Sequence, residues 1–327
     1  MPMPFIKTLT NKGISGLVLL TMLTIVLAPC AAQNQSGIVP GHFRFNTFTV
    51  PNQFELGVEQ INNYGLIVGQ YRSTLAPFGP FRGFERFPNG NLRTLIDPLD
   101  VEGPADPFGG DTEANGVDDH GVIVGQYWDT VALHYASFFL YKGKYTTYNV
   151  PGFFNTTLED INDEVTDFCG FVQTGPPDFF TSAFVSDRGT VTVFTVPNAT
   201  RTEALAINNL DQVVGLYADA NGVLHGFTRD RGGHLVYPLD VPGATTAQNF
   251  GTYPLGINDL GFISGHFWDS SNNEHGFVRA PWGQFLQIDV PGAAQTAGGG
   301  LNDFGTVVGH WVDQNGNQIG YIATPSF

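Results

Sequence analysis

Four aspartates share one local setting. Asp129, Asp219, Asp269 and Asp313 each stand two residues past an aromatic side chain, and Trp128 and Trp268 directly precede two of them. Carboxylates beside indoles suit two kinds of ligand. The rings stack on sugars while the acids take hydroxyl groups, or the acids hold calcium. Asp219-Ala220-Asn221-Gly222 and Asp313-Gln314-Asn315-Gly316-Asn317 carry the spaced oxygen donors of a calcium loop but lack its closing glutamate. Aspartate also starts turns by bonding its own backbone. These six residues are the candidate ligand-binding set; calcium is the only ion they suggest, and no resident cofactor is expected.

His266 and His310 follow equivalent glycines, and His275 lies one hairpin away from His266. Three imidazoles in adjacent strands would approach a zinc site. The same repeat position holds Gln70 and Gln126, however, so no metal ligand is assigned. Glu113, Glu159 and Glu203 are expected in the connections before three innermost strands, with Asp111 and Asp118 flanking the first. A carboxylate pair across a channel mouth would supply an acid and a base or nucleophile for glycan cleavage. There is no G-x-S-x-G, HExxH or Walker loop. No catalytic residue is assigned. A non-catalytic binding or scaffold module is the preferred reading, with a polysaccharide hydrolase or lyase as the alternative.

The elements that would position these groups are repeats. A glycine after a short apolar run recurs at Gly69, Gly125, Gly170, Gly215, Gly265 and Gly309, in steps of 56, 45, 45, 50 and 44 residues. An Asn/Asp turn precedes each glycine. A small-aromatic pair follows: Gly83-Phe84, Ser137-Phe138, Ala183-Phe184, Gly226-Phe227, Gly276-Phe277 and Gly320-Tyr321. Valine-headed corners close the units at Val50, Val101, Val150, Val196, Val241 and Val290. Each unit holds four short β-type runs, a propeller period. One corner precedes the first glycine and none follows the last. Residues 43–50 must therefore complete the blade begun at the C-terminus, so that no edge is left unpaired. The expected fold is an all-β, six-bladed propeller of four-stranded blades, closed by that N-terminal strand. With the strands of each unit lettered a to d from the inside out, the varied b–c and d–a connections would share one rim, the expected binding face.

The units resemble the HAF repeats of extracellular bacterial proteins, named for a His-Ala-Phe triplet. His225-Gly226-Phe227 and His275-Gly276-Phe277 match it, and Ser182-Ala183-Phe184 keeps its last two positions. Arg82, Ala136 and Ile319 stand at the histidine position elsewhere. The resemblance spans roughly residues 43–324 and implies a repeat fold and export, but no activity.

Residues 1–32 read as a secretory signal: Lys7 and Lys12, an apolar run from Gly16 to Ala28, then small residues. Cleavage after Ala32 would release residues 33–327 as a single propeller domain, secreted or periplasmic. Leu27-Ala28-Pro29-Cys30 resembles a lipobox, which would anchor the chain through Cys30 instead. Cys169 replaces the valine or serine of other units and reads as a buried apolar thiol. Net charge is −16, and −18 once both leader lysines are removed. That charge disfavours nucleic acid and anionic lipid. The expected partner is an extracellular polymer such as a polysaccharide, or another protein, met by a monomer without a membrane span in its mature chain.

Overall fold

Glycine and aromatic side chains explain the repeat period. In every blade the anchor glycine sits directly opposite the aromatic of the next strand: Gly69 faces Phe84, Gly125 faces Phe138, Gly170 faces Phe184, Gly215 faces Phe227, Gly265 faces Phe277 and Gly309 faces Tyr321. All six rings are buried. A Cβ on any of these glycines would fall 1.9–2.2 Å from a carbonyl oxygen of the innermost strand. The residue must be glycine because backbone and ring together leave no room for a side chain.

The computed structural model describes residues 38–73, 79–100 and 111–326. The expected secretory signal over residues 1–32, Cys30 and the Val101 corner lie outside the described residues. Among those described there is no helix, and six antiparallel sheets form the six blades. From the innermost strand outward, blade 1 is Gln53–Ile61, Ile67–Ser73, Phe81–Arg86 and Leu92–Leu95. Blade 2 is Thr112–Val117, Ile123–Asp129, His134–Tyr141 and Lys144–Tyr148. Blade 3 is Asn155–Ile161, Phe168–Gln173, Thr181–Asp187 and Thr190–Phe194. Blade 4 is Arg201–Ile207, Val213–Ala218, Leu224–Arg229 and Leu235–Leu239. Blade 5 is Thr252–Ile257, Ile263–Trp268, Glu274–Arg279 and Phe285–Ile288.

Blade 6 takes three strands from the C-terminus, Gln295–Leu301, Val307–Val312 and Gln318–Pro325, and its fourth from Phe43–Phe48. The pairing runs from Phe43 opposite Pro325 to Phe48 opposite Gly320. The ring closes as its strand count requires. Just before that strand, Val39–Pro40 pairs in parallel with Leu286 and Gln287 of blade 5. The N-terminal segment thus covers one outer edge and supplies the next.

The core lies between blades. Val214 and Leu239 of blade 4, for example, pack with Phe267 and Phe277 of blade 5. Corners are pinned by buried threonines: the backbone N–H groups of Val150, Val196, Val241 and Val290 donate to Thr156, Thr202, Thr252 and Thr296 at 3.0–3.1 Å. Cys169 is fully buried among apolar side chains, and burial pushes its thiol well up. It has the inert setting of a core residue.

Candidate functional site: loop rim, channel and turn face

Antiparallel strands place the b–c and d–a connections on one rim and the a–b and c–d turns on the other. On the loop rim, the four aspartates close their own turns. The Asp219 carboxylate accepts the N–H groups of Asn221 and Val223 at 2.8 and 2.9 Å. Asp269 accepts Ser271 and Asn273, and Asp313 accepts Asn315 and Asn317, at 2.7–2.9 Å. Asp129 accepts Val131 and Ala132. Backbone donors from Val223 and Asn273 hold Asp219 and Asp269 below the usual carboxylate range, and the Asn317 side chain does the same for Asp313. They are anions fixed at turn tips.

The histidines of the triplets join these aspartates to the corners. His225 Nδ1–H donates to Asp240 at 2.8 Å, with Nε2 3.8 Å from Asp219. His275 repeats this with Asp289 at 2.8 Å and Asp269 at 3.5 Å. His266 instead bonds the Gly298 carbonyl. His310 is half-buried near His266, and desolvation pushes its pKa down to about 4. The three imidazoles considered for zinc therefore do not form one site, because His275 is engaged by carboxylates at the rim. Trp268 packs edge-on against Phe250, Tyr253 and His266, and Trp128 against Tyr135. Both indoles are half-buried.

The loop rim also exposes apolar side chains that the sequence did not single out. Val131 and Leu133 in the b–c loop of blade 2, Phe154 at the next corner, and Phe179 and Phe180 in the b–c loop of blade 3 are all exposed. His134 meets Phe154 at 5.8 Å, and Phe154 meets Phe179 edge-on at 5.9 Å. Leu133 and Phe179 adopt positive φ, 57° and 40°. That conformation is costly for a side chain with a Cβ and recurs where function constrains a loop. A run of apolar residues flanked by Gly and Pro could have signalled the loop, but not its exposure.

The glutamates require a correction. Glu113, Glu159 and Glu203 lie within the innermost strands, not in the connections before them. Glu59 joins them there, and the four are close enough to influence one another's charge. A bulge in each innermost strand shifts the register by one residue, which loop-length reasoning does not capture. Gln126 donates to Glu113 and Gln70 to Glu59, each at 2.9 Å. Desolvation raises all four pKa values, that of Glu113 to about 7.

The turn face is closed by a ring of hydrogen bonds. The backbone N–H of Asn63 donates to Asp119, Asp119 to Asp163, Asp163 to Asn209, Asn209 to Asp259, Asp259 to Asp303 and Asp303 back to Asn63, all at 2.8–2.9 Å. The side-chain amides of Asn63 and Asn209 each bridge two of these carboxylates. Inside the ring is a solvent-open depression of about 440 Å³, lined by the six turns. This hollow lies on the rim opposite the one singled out from loop variation.

No family model matches the chain. No curated protein matches its sequence. Solved structures do share its fold. The chain is similar to TolB from Acinetobacter baumannii (13% identity, TM-score 0.52), with 80% of this chain covered and 64% of that one. It thus spans a little under two thirds of the TolB chain. It is also similar to AofleA from Arthrobotrys oligospora, at 12% identity, TM-score 0.52 and 86% of both chains. A third likeness is to a neuraminidase-like protein from A/bat/Guatemala/164/2009, at 8% identity and TM-score 0.50, covering 88% of this chain and 96% of that one. At these identities the likeness extends to the propeller architecture and no further.

Proposed function

We propose that this protein is an exported, non-catalytic binding propeller of the HAF-repeat kind, whose loop rim contacts an extracellular polysaccharide or protein. The observation that carries this reading is the exposed contact of Phe154 with Phe179, on loops that also expose Val131, Leu133 and Phe180. Exposed aromatic rings in mutual contact on neighbouring loops favour a partner that covers them. Covering one fully contributes about 1.5–3 kcal/mol. Trp128 and Trp268 stand deeper on the same rim, with Asp129, Asp219, Asp269 and Asp313 as its acidic surround.

Electrophoretic retardation by soluble neutral polysaccharides tests this reading. The protein should be retarded, and Phe154→Ser/Phe179→Ser should migrate freely at unchanged Tm. Equal retardation of both forms would remove the two rings from the site. No retardation of the parent chain would remove polysaccharide as the partner.

The second reading, a polysaccharide hydrolase or lyase, rests on Glu59, Glu113, Glu159 and Glu203 inside the channel. A carboxyl group kept protonated near neutral pH can act as a general acid. New reducing or unsaturated chain ends that vanish in Glu113→Gln would favour it.

A further inference from the structure

Five of the six a–b turns begin with asparagine: Asn62, Asn162, Asn208, Asn258 and Asn302. In four of them the side-chain amide donates across to the equivalent carbonyl of the next blade: Asn62 to Asp118, Asn208 to Asn258, Asn258 to Asn302 and Asn302 to Asn62, at 2.8–3.3 Å. Asn162 reaches the same neighbouring turn through Asp211 Oδ1. The sixth position is Asp118, which has no amide to give. Its Oδ1 accepts the Val122 N–H at 2.7 Å, but its Oδ2 is buried without a hydrogen-bond partner. The Asp118 side chain is 0% exposed. A buried acceptor where the repeat puts a donor is unfavourable unless a positive group meets it.

Two more ligand atoms stand beside that oxygen. His120 Nδ1 is 3.5 Å away, too long for a hydrogen bond, and Asp163 of the next blade completes a group whose ligand atoms all lie within 4.8 Å of one another. We infer that Asp118, His120 and Asp163 form a divalent-cation site that bridges blades 2 and 3 on the turn face. One imidazole and two carboxylates are the donor set of a transition ion of the zinc type rather than of calcium or magnesium, which take oxygen alone. His120 is more than half exposed, so the ion enters from solvent and keeps positions open to water. The ion replaces the missing amide: it satisfies Oδ2 and ties the two blades as the asparagines tie the others. Nothing in this site depends on the loop rim.

The test is calorimetric titration of chelator-treated, untagged protein with zinc chloride, with calcium and magnesium chlorides for comparison. Zinc should bind at one ion per chain and more tightly than either. His120→Ala, an exposed change that leaves the fold intact, should weaken zinc at least tenfold. Asp118→Asn should weaken it as much, while raising the Tm of the metal-free protein by restoring the amide. Absence of zinc binding by the parent chain, or equal affinity in both variants, would overturn the assignment. A raised Tm in Asp118→Asn without zinc binding by the parent would also overturn it, since a proton would then be filling the gap.

Discussion

Replacing Gly215 with alanine should destabilise the protein, although alanine is the better residue for an ordered strand by about 0.5–1 kcal/mol. The added Cβ would lie 2.0 Å from the Glu203 carbonyl oxygen, 2.9 Å from the Ala204 Cα and 2.9 Å from the Phe227 ring. Side chains do not tolerate contacts under 3.0 Å, so the first two strands of blade 4 must part by about 1 Å. Two of the three obstacles are backbone, which cannot rotate away. Overpacking of this kind costs about 3 kcal/mol. At roughly 2–4 °C per kcal/mol the Tm falls by about 6–12 °C. Gly143→Ala is the control: its φ is +77° with nothing within 4 Å, so it bears only the strain of that backbone conformation, about 1–2 kcal/mol. Thermal melts of the three proteins decide the matter. A Gly215→Ala protein at least as stable as the Gly143→Ala protein would refute the steric account of the repeat glycine.

Stability should fall between about pH 4 and pH 7. Burial raises Glu113 and Asp160 to about 7 in the folded chain, against ordinary values of 4.5 and 3.8. The folded state therefore holds protons that the unfolded state has released across this window, and folding is weakened as pH rises through it. Melts from pH 4 to 8 should show the decline, and Glu113→Gln should flatten it and raise the Tm at pH 8. On the turn face, Asn209→Asp should cost about 3 kcal/mol or more, since it replaces two amide-to-carboxylate bonds, at 2.8 and 3.0 Å, with a third acid between Asp163 and Asp259. Added salt should restore part of the loss, read as a rise in Tm.

The propeller was legible because its signals are cross-strand pairs written at short range. Gly215 and Phe227 lie on neighbouring strands of one hairpin, so their contact recurs as a fixed spacing. Strand Phe43–Phe48 was legible by counting, since five and three-quarter blades demand a final strand. Val39–Pro40 was not: two residues carry no periodicity, and their parallel partner in blade 5 is far away in sequence. The threonines behind Val150, Val196, Val241 and Val290 were hidden because threonine is ordinary in any strand. The side to which Glu113 and Glu159 point depends on a bulge, and a one-residue slip exchanges the two faces of a strand.

Repetition supplies its own controls, and that is the firmest route from this fold to function. A position filled five times by asparagine shows what the backbone needs there, so Asp118 departs from a known requirement and leaves Oδ2 unmatched. Leu133 and Phe179 also take positive φ, as Lys142, Val165 and Arg188 do in other turns, so these two are weaker departures. Both kinds occur in blades 2 and 3, on opposite faces. Asparagine at position 118, or glycine at either loop position, would relieve a local penalty. Cation binding is the benefit that the proposed site would give Asp118 in return. For Asp118 that benefit is measurable without knowing the protein's partner: Asp118→Asn must gain stability and lose zinc together, and a variant that gains stability while binding zinc unchanged would break the link between the two.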